Sequence, residues 1–261
     1  MKKLMTTGLL VVIAVFSACG DSATEIRGTL PVVTGISIDS IASRGDTIVI
    51  SWTALDTTLV DGYFLWTRPA MDGPWSLADV CDENAGSHIA LKSAFYTVMA
   101  FKGLDSSSDI GLSVNTKSQS VSEIRELFEL RPVGFRVDLE GDSLIAGDPA
   151  SLDFAQQFIV AINITGERQI FPGNSRPFIW PGGARTQISS MGGFVAPAPD
   201  DSVNWNDSIS YGGDFFLALE NGYYCMLKGT STIPDTTAMS DTLVIKGQVQ
   251  PIMGVRVFNE F

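Results

Sequence analysis

Residues 94–101 read AFYTVMAF, a run with no charge, glycine or proline, and their alternation decides the fold. In an extended chain Tyr96, Val98 and Ala100 fall on one side, and Phe95, Met99 and Phe101 on the other. Aromatic and β-branched residues favour that extended form. Both sides are apolar, and a strand of that kind is usually covered on both faces. Two readings of the outward set stay open: another part of the chain covers it, or a partner does.

Similar runs flank it. DTIVISW (46–52) places Ile48, Ile50 and Trp52 on one face; DGYFLWTRP (61–69) opens at an Asp-Gly turn and stops at Pro69; GPWSLADV (73–80), HIAL (88–91) and DIGLSVNTK (109–117) follow. About seven short strands in roughly 90 residues, with turn residues between them, is the pattern of an immunoglobulin-like sandwich. Particular positions resemble the fibronectin type III family. Trp52 stands where that family has its B-strand tryptophan, and Tyr63 and Leu65 stand at its Y-x-V. Leu91, Tyr96, Val98 and Ala100 match the L…Y-x-V-x-A run, with one residue fewer than usual between Leu91 and Tyr96, and GLDSSSD (103–109) resembles the turn before the last strand. The resemblance covers residues 31–117 and implies a spacer or adhesion module.

TKSQS (116–120) reads as a linker. SVSEIRELFELRP (120–132) carries two periods at once. Ser120 and Glu123 make a capping box, with Ile124, Leu127 and Phe128 on one helical face; Ile124, Glu126, Phe128 and Leu130 also alternate as a strand does. The expectation taken is a short helix or turn. From residue 132 onward the pattern is β again, with an apolar run at Phe158–Ile164 and a hairpin turn at 220–222 between DFFLAL and YYCMLK. The expected fold class is all-β: an N-terminal immunoglobulin-like (fibronectin type III-like) sandwich, then a second β-sandwich or jelly-roll-like domain over 121–261.

The first residues have another character. Lys2 and Lys3 precede an apolar stretch from Gly8 to Phe16, too short to span a bilayer, and then the small residues Ser17 and Ala18. Phe16, Ser17, Ala18 and Cys19 resemble the lipobox of bacterial lipoproteins, with phenylalanine where leucine is usual. The resemblance implies a signal peptide of residues 1–18, a diacylglyceryl thioether and N-acyl chain (palmitate or similar) on Cys19, and a polar tether over 19–30. Each buried methylene contributes about 0.8 kcal/mol, so two or three chains hold a protein on a membrane. The alternative is an ordinary secretory signal, cut after Gly20, with an incidental cysteine. Gly20 follows Cys19 and the first aspartate comes at Asp21, which favours the outer membrane of a bacterial cell envelope.

The composition narrows the chemistry. The chain has 261 residues, 17 Lys plus Arg against 29 Asp plus Glu, and a net charge of −12, which argues against nucleic acid as a partner. His88 is the only histidine, lies in a predicted strand, and reads as an ordinary residue. Cys81 and Cys225 stand in different predicted domains and read as independent buried thiols rather than a disulfide. The acidic turns DLEGD (138–142) and PDDSVNWND (199–207) carry oxygen ligands suited to calcium but not the spacing of a calcium loop. No catalytic residue, cofactor or metal site is expected. Trp180 and Trp205 lie in turn-rich sequence and are the candidate ligand-contact aromatics, each against the alternative of a ring packed down as a loop anchor. The sequence thus points to a lipid-anchored envelope protein with a non-catalytic role, through protein–protein contact. The alternative is an envelope carbohydrate-binding protein or a carbohydrate hydrolase, the latter needing two carboxylates roughly 5 to 10 Å apart across one cleft.

Overall fold

Short alternating runs become strands here, and the turn residues between them set where each strand stops. The computed structural model describes residues 30–107, 112–128, 131–140, 142–151, 153–162, 167–174, 183–231 and 241–260. The described chain is all-β, and its sheets form more than one sandwich.

The first sandwich uses β1 (Ser37–Ile38), β2 (Thr47–Ser51), β3 (Gly62–Arg68), β4 (Ser76–Cys81), β5 (Ala85–Ile89), β6 (Phe95–Lys102), β7 (Asp105–Ser106) and β8 (Val114–Asn115). One sheet has the order β1-β2-β5; the other has the order β4-β3-β6-β7, with β8 also on β6. Two antiparallel sheets in this arrangement are an immunoglobulin-like sandwich. Ile48, Ile50 and Trp52 from β2 and its end face Tyr63 and Leu65 of β3 and Tyr96, Val98 and Ala100 of β6, all at 6% exposure or less. Trp52 and Tyr63 meet edge to face at 5.2 Å. Gly86 lets β5 approach this core: a Cβ there would lie 2.5 Å from Cys81 Sγ and 3.3 Å from Leu65.

The second sandwich uses β9 (Gln119–Phe128), β10 (Val133–Asp138), β11 (Ser143–Gly147), β12 (Phe158–Ile162), β13 (Arg168–Pro172), β14 (Gln187–Ser189), β15 (Ile209–Ser210), β16 (Gly213–Ala218), β17 (Tyr224–Ser231) and β18 (Asp241–Val249). Its sheets have the orders β11-β10-β12-β13-β15 and β14-β16-β17-β18-β9. The core between them holds Phe135, Phe158, Val160 and Ile170 from the first sheet and Phe215, Leu217, Leu227, Leu243 and Ile245 from the second. Phe158 stacks on Phe135 at 5.1 Å and meets Phe215 edge-on at 5.7 Å. The expected turn joins β16 to β17, with Leu219 N–H donating to Tyr223 O and Gly222 at φ 84°, a conformation that favours glycine.

Two local expectations are corrected. The segment expected as a short helix is the edge strand β9. Its pairing with β18 passes from Ile124↔Ile245 to Val121↔Gly247, so β9 holds one residue more than its partner. That bulge brings Val121 and Ile124, three apart, to the same core. The i, i+3 spacing that suggests a helix is therefore produced by an irregular strand. The bulged Ser122 spends its N–H on Asp142 O at 2.9 Å. The TKSQS segment is no free linker either: Thr116 and Ser118 are buried, and Gln119 and Ser120 begin β9.

The C-terminal segment joins the two sandwiches. Val255 and Val257 belong to the first core, fully buried, while Phe258 packs on Phe216 at 5.7 Å in a cluster on the second sandwich. Gly45 N–H donates to Gly254 O and Arg256 N–H to Gly45 O, each at 2.8 Å. Gln250, fully buried, donates from Nε2 to Val257 O at 2.6 Å and Thr116 O at 3.2 Å.

Gly86→Ala is expected to cost about 1–3 kcal/mol by overpacking, read as a fall in the urea midpoint, and Cys81→Ala in the same chain is expected to recover most of it. An unchanged midpoint would mean that β5 does not approach the core this closely.

Candidate binding surfaces

Two of the residues expected to carry function, Cys19 and Trp180, lie outside the described residues. Trp205 is described, half-buried in the loop between β14 and β15. This loop crosses the outer face of the β14-β16-β17-β18-β9 sheet, where Phe216, Ala218, Tyr224 and Met226 point away from the main core. Phe194, Ala196, Trp205 and Phe258 cover that face. The indole N–H of Trp205 donates to Ala198 O at 2.7 Å, fixing the ring plane. The ring is a loop anchor and also lines a cleft of about 450 Å3 with Thr186, Gln187, Asn206 and Asp207.

The corresponding outer face of the first sandwich is open. β3 presents Phe64, Trp66 and Arg68; β6 presents Phe95, Met99 and Phe101, with Thr97 buried among them; β4 presents Leu77 and Val80. Leu77 and Val80 are 49% and 51% exposed, and Phe64, Trp66, Met99 and Phe101 are half-buried. Phe64 stacks on Phe101 at 4.4 Å. The outward set of β6 thus divides. Phe95 is covered from within the sandwich, because the Arg68 guanidinium lies 5.5 Å from its ring and 4.3 Å from Trp75, and the Lys117 ammonium lies 4.8 Å from it. Met99 and Phe101 stay on the open part. Among the described residues neither cation has a carboxylate partner. The second sandwich leaves this face open because it joins at the end of the first that carries Gly45 and Ser93, where Ser93 N–H donates to Phe258 O.

The ionisable core residues are ordinary ones. Burial lowers the His88 pKa against a smaller opposing effect of Asp79, and its ring lies edge-on to Tyr96 at 5.8 Å. Because the folded value is the lower one, His88 costs stability as pH falls below the unfolded value of about 6.5. Cys81 and Cys225 are free and buried. Burial, helped by Asp79, pushes the Cys81 thiol up to about 11, and burial pushes Cys225 up further. In the acidic turns the carboxylates accept from their own surroundings: Asp138 from Glu140 N–H, Asp142 from Gln119 Nε2, and Asp201 from Asn204 Nδ2. Among the described residues no group of three His, Cys, Asp or Glu side chains is placed to hold a metal ion, and no helix is long and apolar enough to cross a membrane.

No protein-family model matches the chain, and no curated protein matches it. Among solved structures it is similar to the twitchin kinase region from C. elegans (Fn31-NL-kin-CRD-Ig26), at 12% identity and a TM-score of 0.26, over 84% of this chain and 40% of that one. It is also similar to a cycloalternan-degrading enzyme from Trueperella pyogenes, at 10% identity and a TM-score of 0.20, over 78% of this chain and 28% of that one. The chain thus spans less than half the length of either.

Both thiols are expected to be inert in the folded protein, since the thiolate is the reactive form. In a Cys19→Ala variant at pH 8, a thiol-titrating disulfide is expected to find no fast-reacting thiol before denaturation and the two buried ones after it. A thiol that reacts at once in the native protein would contradict the burial described.

Proposed function

We propose that this chain is a lipid-anchored protein of the bacterial cell envelope that binds another protein, without catalysis, through the open face of its first sandwich. The observation that carries the binding role is that face. Phe64, Trp66, Leu77, Val80, Met99 and Phe101 make an apolar strip, and Arg68 and Lys117 stand at one end with no carboxylate partner among the described residues. The matching partner presents an apolar strip ending in carboxylates, so that the charges steer and the apolar strip holds.

The anchor rests on Phe16-Ser-Ala-Cys19. The path of the chain suits it. Leu30 packs on the first core, and Thr53 N–H donates to Thr34 O just past the end of β2. The second sandwich joins at Gly45, before the start of β2. A lipid on Cys19 therefore puts the first sandwich next to the membrane and the second beyond it, with Gly20 favouring the outer membrane.

Expression of the full chain and of Cys19→Ala in a bacterial host, followed by mass measurement and fractionation, tests the anchor. The expected result is residues 19–261 plus acyl groups in the membrane fraction, lost in the variant. A soluble product cut elsewhere would overturn it. For the face, a photo-crosslinker at Val80 in the native cell is expected to capture one envelope protein, and Arg68→Glu with Lys117→Glu is expected to abolish the product. A crosslinker at Ile89, on the other sheet, is expected to capture nothing; equal capture from both positions would remove the assignment.

A further inference from the structure

The Trp205 cleft, at about 450 Å3, falls in the range of about 300–1,000 Å3 that small-ligand clefts occupy. Its Trp205, Asn206 and Gln187 side chains are already oriented by the protein. Trp205 spends its one polar atom on Ala198 O and packs beside Phe216 and Met226, so the ring has only an apolar face to offer a ligand. Asn206 accepts from Ser190 N–H at 3.3 Å through Oδ1, which leaves its NH2 as a donor. Gln187 donates from Nε2 to Pro199 O at 3.5 Å, which leaves its Oε1 as an acceptor. Asp207, exposed at the rim, adds a carboxylate acceptor. No Lys, Arg or His is among the described lining residues.

This set selects a class of ligand. Among the described lining residues an anion meets a carboxylate and no cation. A purely apolar ligand would bury the Asn206 NH2 and the Gln187 Oε1 without partners, which is costly. A hydroxyl group donates and accepts at once, so a polyol uses the fixed donor and the fixed acceptors together. A sugar ring adds to its hydroxyl rim a face of C–H groups that stacks on an indole. We infer that the Trp205 cleft binds a neutral saccharide, its ring on Trp205 and its hydroxyls on Asn206, Gln187 and Asp207. The site is on the second sandwich and depends neither on the lipid anchor nor on the open face of the first.

The test uses the Cys19→Ala chain, purified and titrated calorimetrically with maltohexaose, cellohexaose, xylohexaose, chitohexaose and the peptidoglycan disaccharide. At least one is expected to bind with a submillimolar Kd. Trp205→Ala is expected to weaken that binding tenfold or more, roughly the worth of one aromatic contact, while Trp205→Phe keeps most of it. Asp207→Ala and Gln187→Ala are each expected to cost roughly fivefold, as a lost hydrogen bond does. Trp205 also anchors its loop, so circular dichroism accompanies each variant; if Trp205→Ala unfolds, the exposed Asp207→Ala decides. Failure of the whole panel to bind at millimolar concentration overturns the inference, as does binding that neither Trp205→Ala nor Asp207→Ala alters.

Discussion

The segment Val255-Arg-Val-Phe258 alternates, but neither set of side chains faces water. Val255 and Val257 enter the first core, and Phe258 enters the cluster over Phe216 on the second sandwich. Arg256, between the two valines, donates from its guanidinium to Ala196 O. An extended chain sends successive side chains to opposite sides, so a single short segment can belong to two cores. The rest of the arrangement depends on this sharing. Gln250 holds Thr116 O and Val257 O together, and Ser118 Oγ accepts from Asn259 N–H at 3.2 Å. The passage from the first sandwich to the second is thereby built into the structure instead of hanging between two bodies.

The two sandwiches treat a doubly apolar sheet differently. In the second, the sheet that carries Phe216 and Met226 is covered by the 194–205 loop and Phe258, and Trp205 is part of the cover. In the first, the β4-β3-β6 sheet has Phe95 covered by Arg68 and Lys117, while Leu77 and Val80 are exposed and Phe64, Trp66, Met99 and Phe101 are half-buried. Covering one face from within the chain while leaving the other open is what makes the open face informative. Exposed apolar area costs roughly 25 cal/mol per Å2 when it stays in water, a cost that a partner removes.

Much of the first sandwich is legible in the sequence because its core positions follow period two around Trp52, Tyr63, Leu65, Tyr96 and Val98, and each run ends at a turn residue. The edge strand β9 is not, because one extra residue in it spaces Val121 and Ile124 as a helix would. The shared segment is hidden for another reason. Valine and phenylalanine alternating at 255–258 announce a strand, but nothing local states that the valines face a core built more than 150 residues earlier. The Trp205 cleft was half legible: the sequence marks an aromatic in a turn-rich loop, whereas the orientation of the Asn206 and Gln187 amides comes from backbone groups of Ser190 and Pro199 that only the fold brings near.

The central claim is that the two sandwiches are one cooperative structure closed by the C-terminal segment. Calorimetric melting of the full chain beside a chain ending at Gln250 tests it directly. The account predicts a single transition for the full chain, and for the shortened chain an earlier, separate melting of the first sandwich, whose core has lost Val255 and Val257. Two independent transitions in the full chain, with the first unmoved by the truncation, would contradict it.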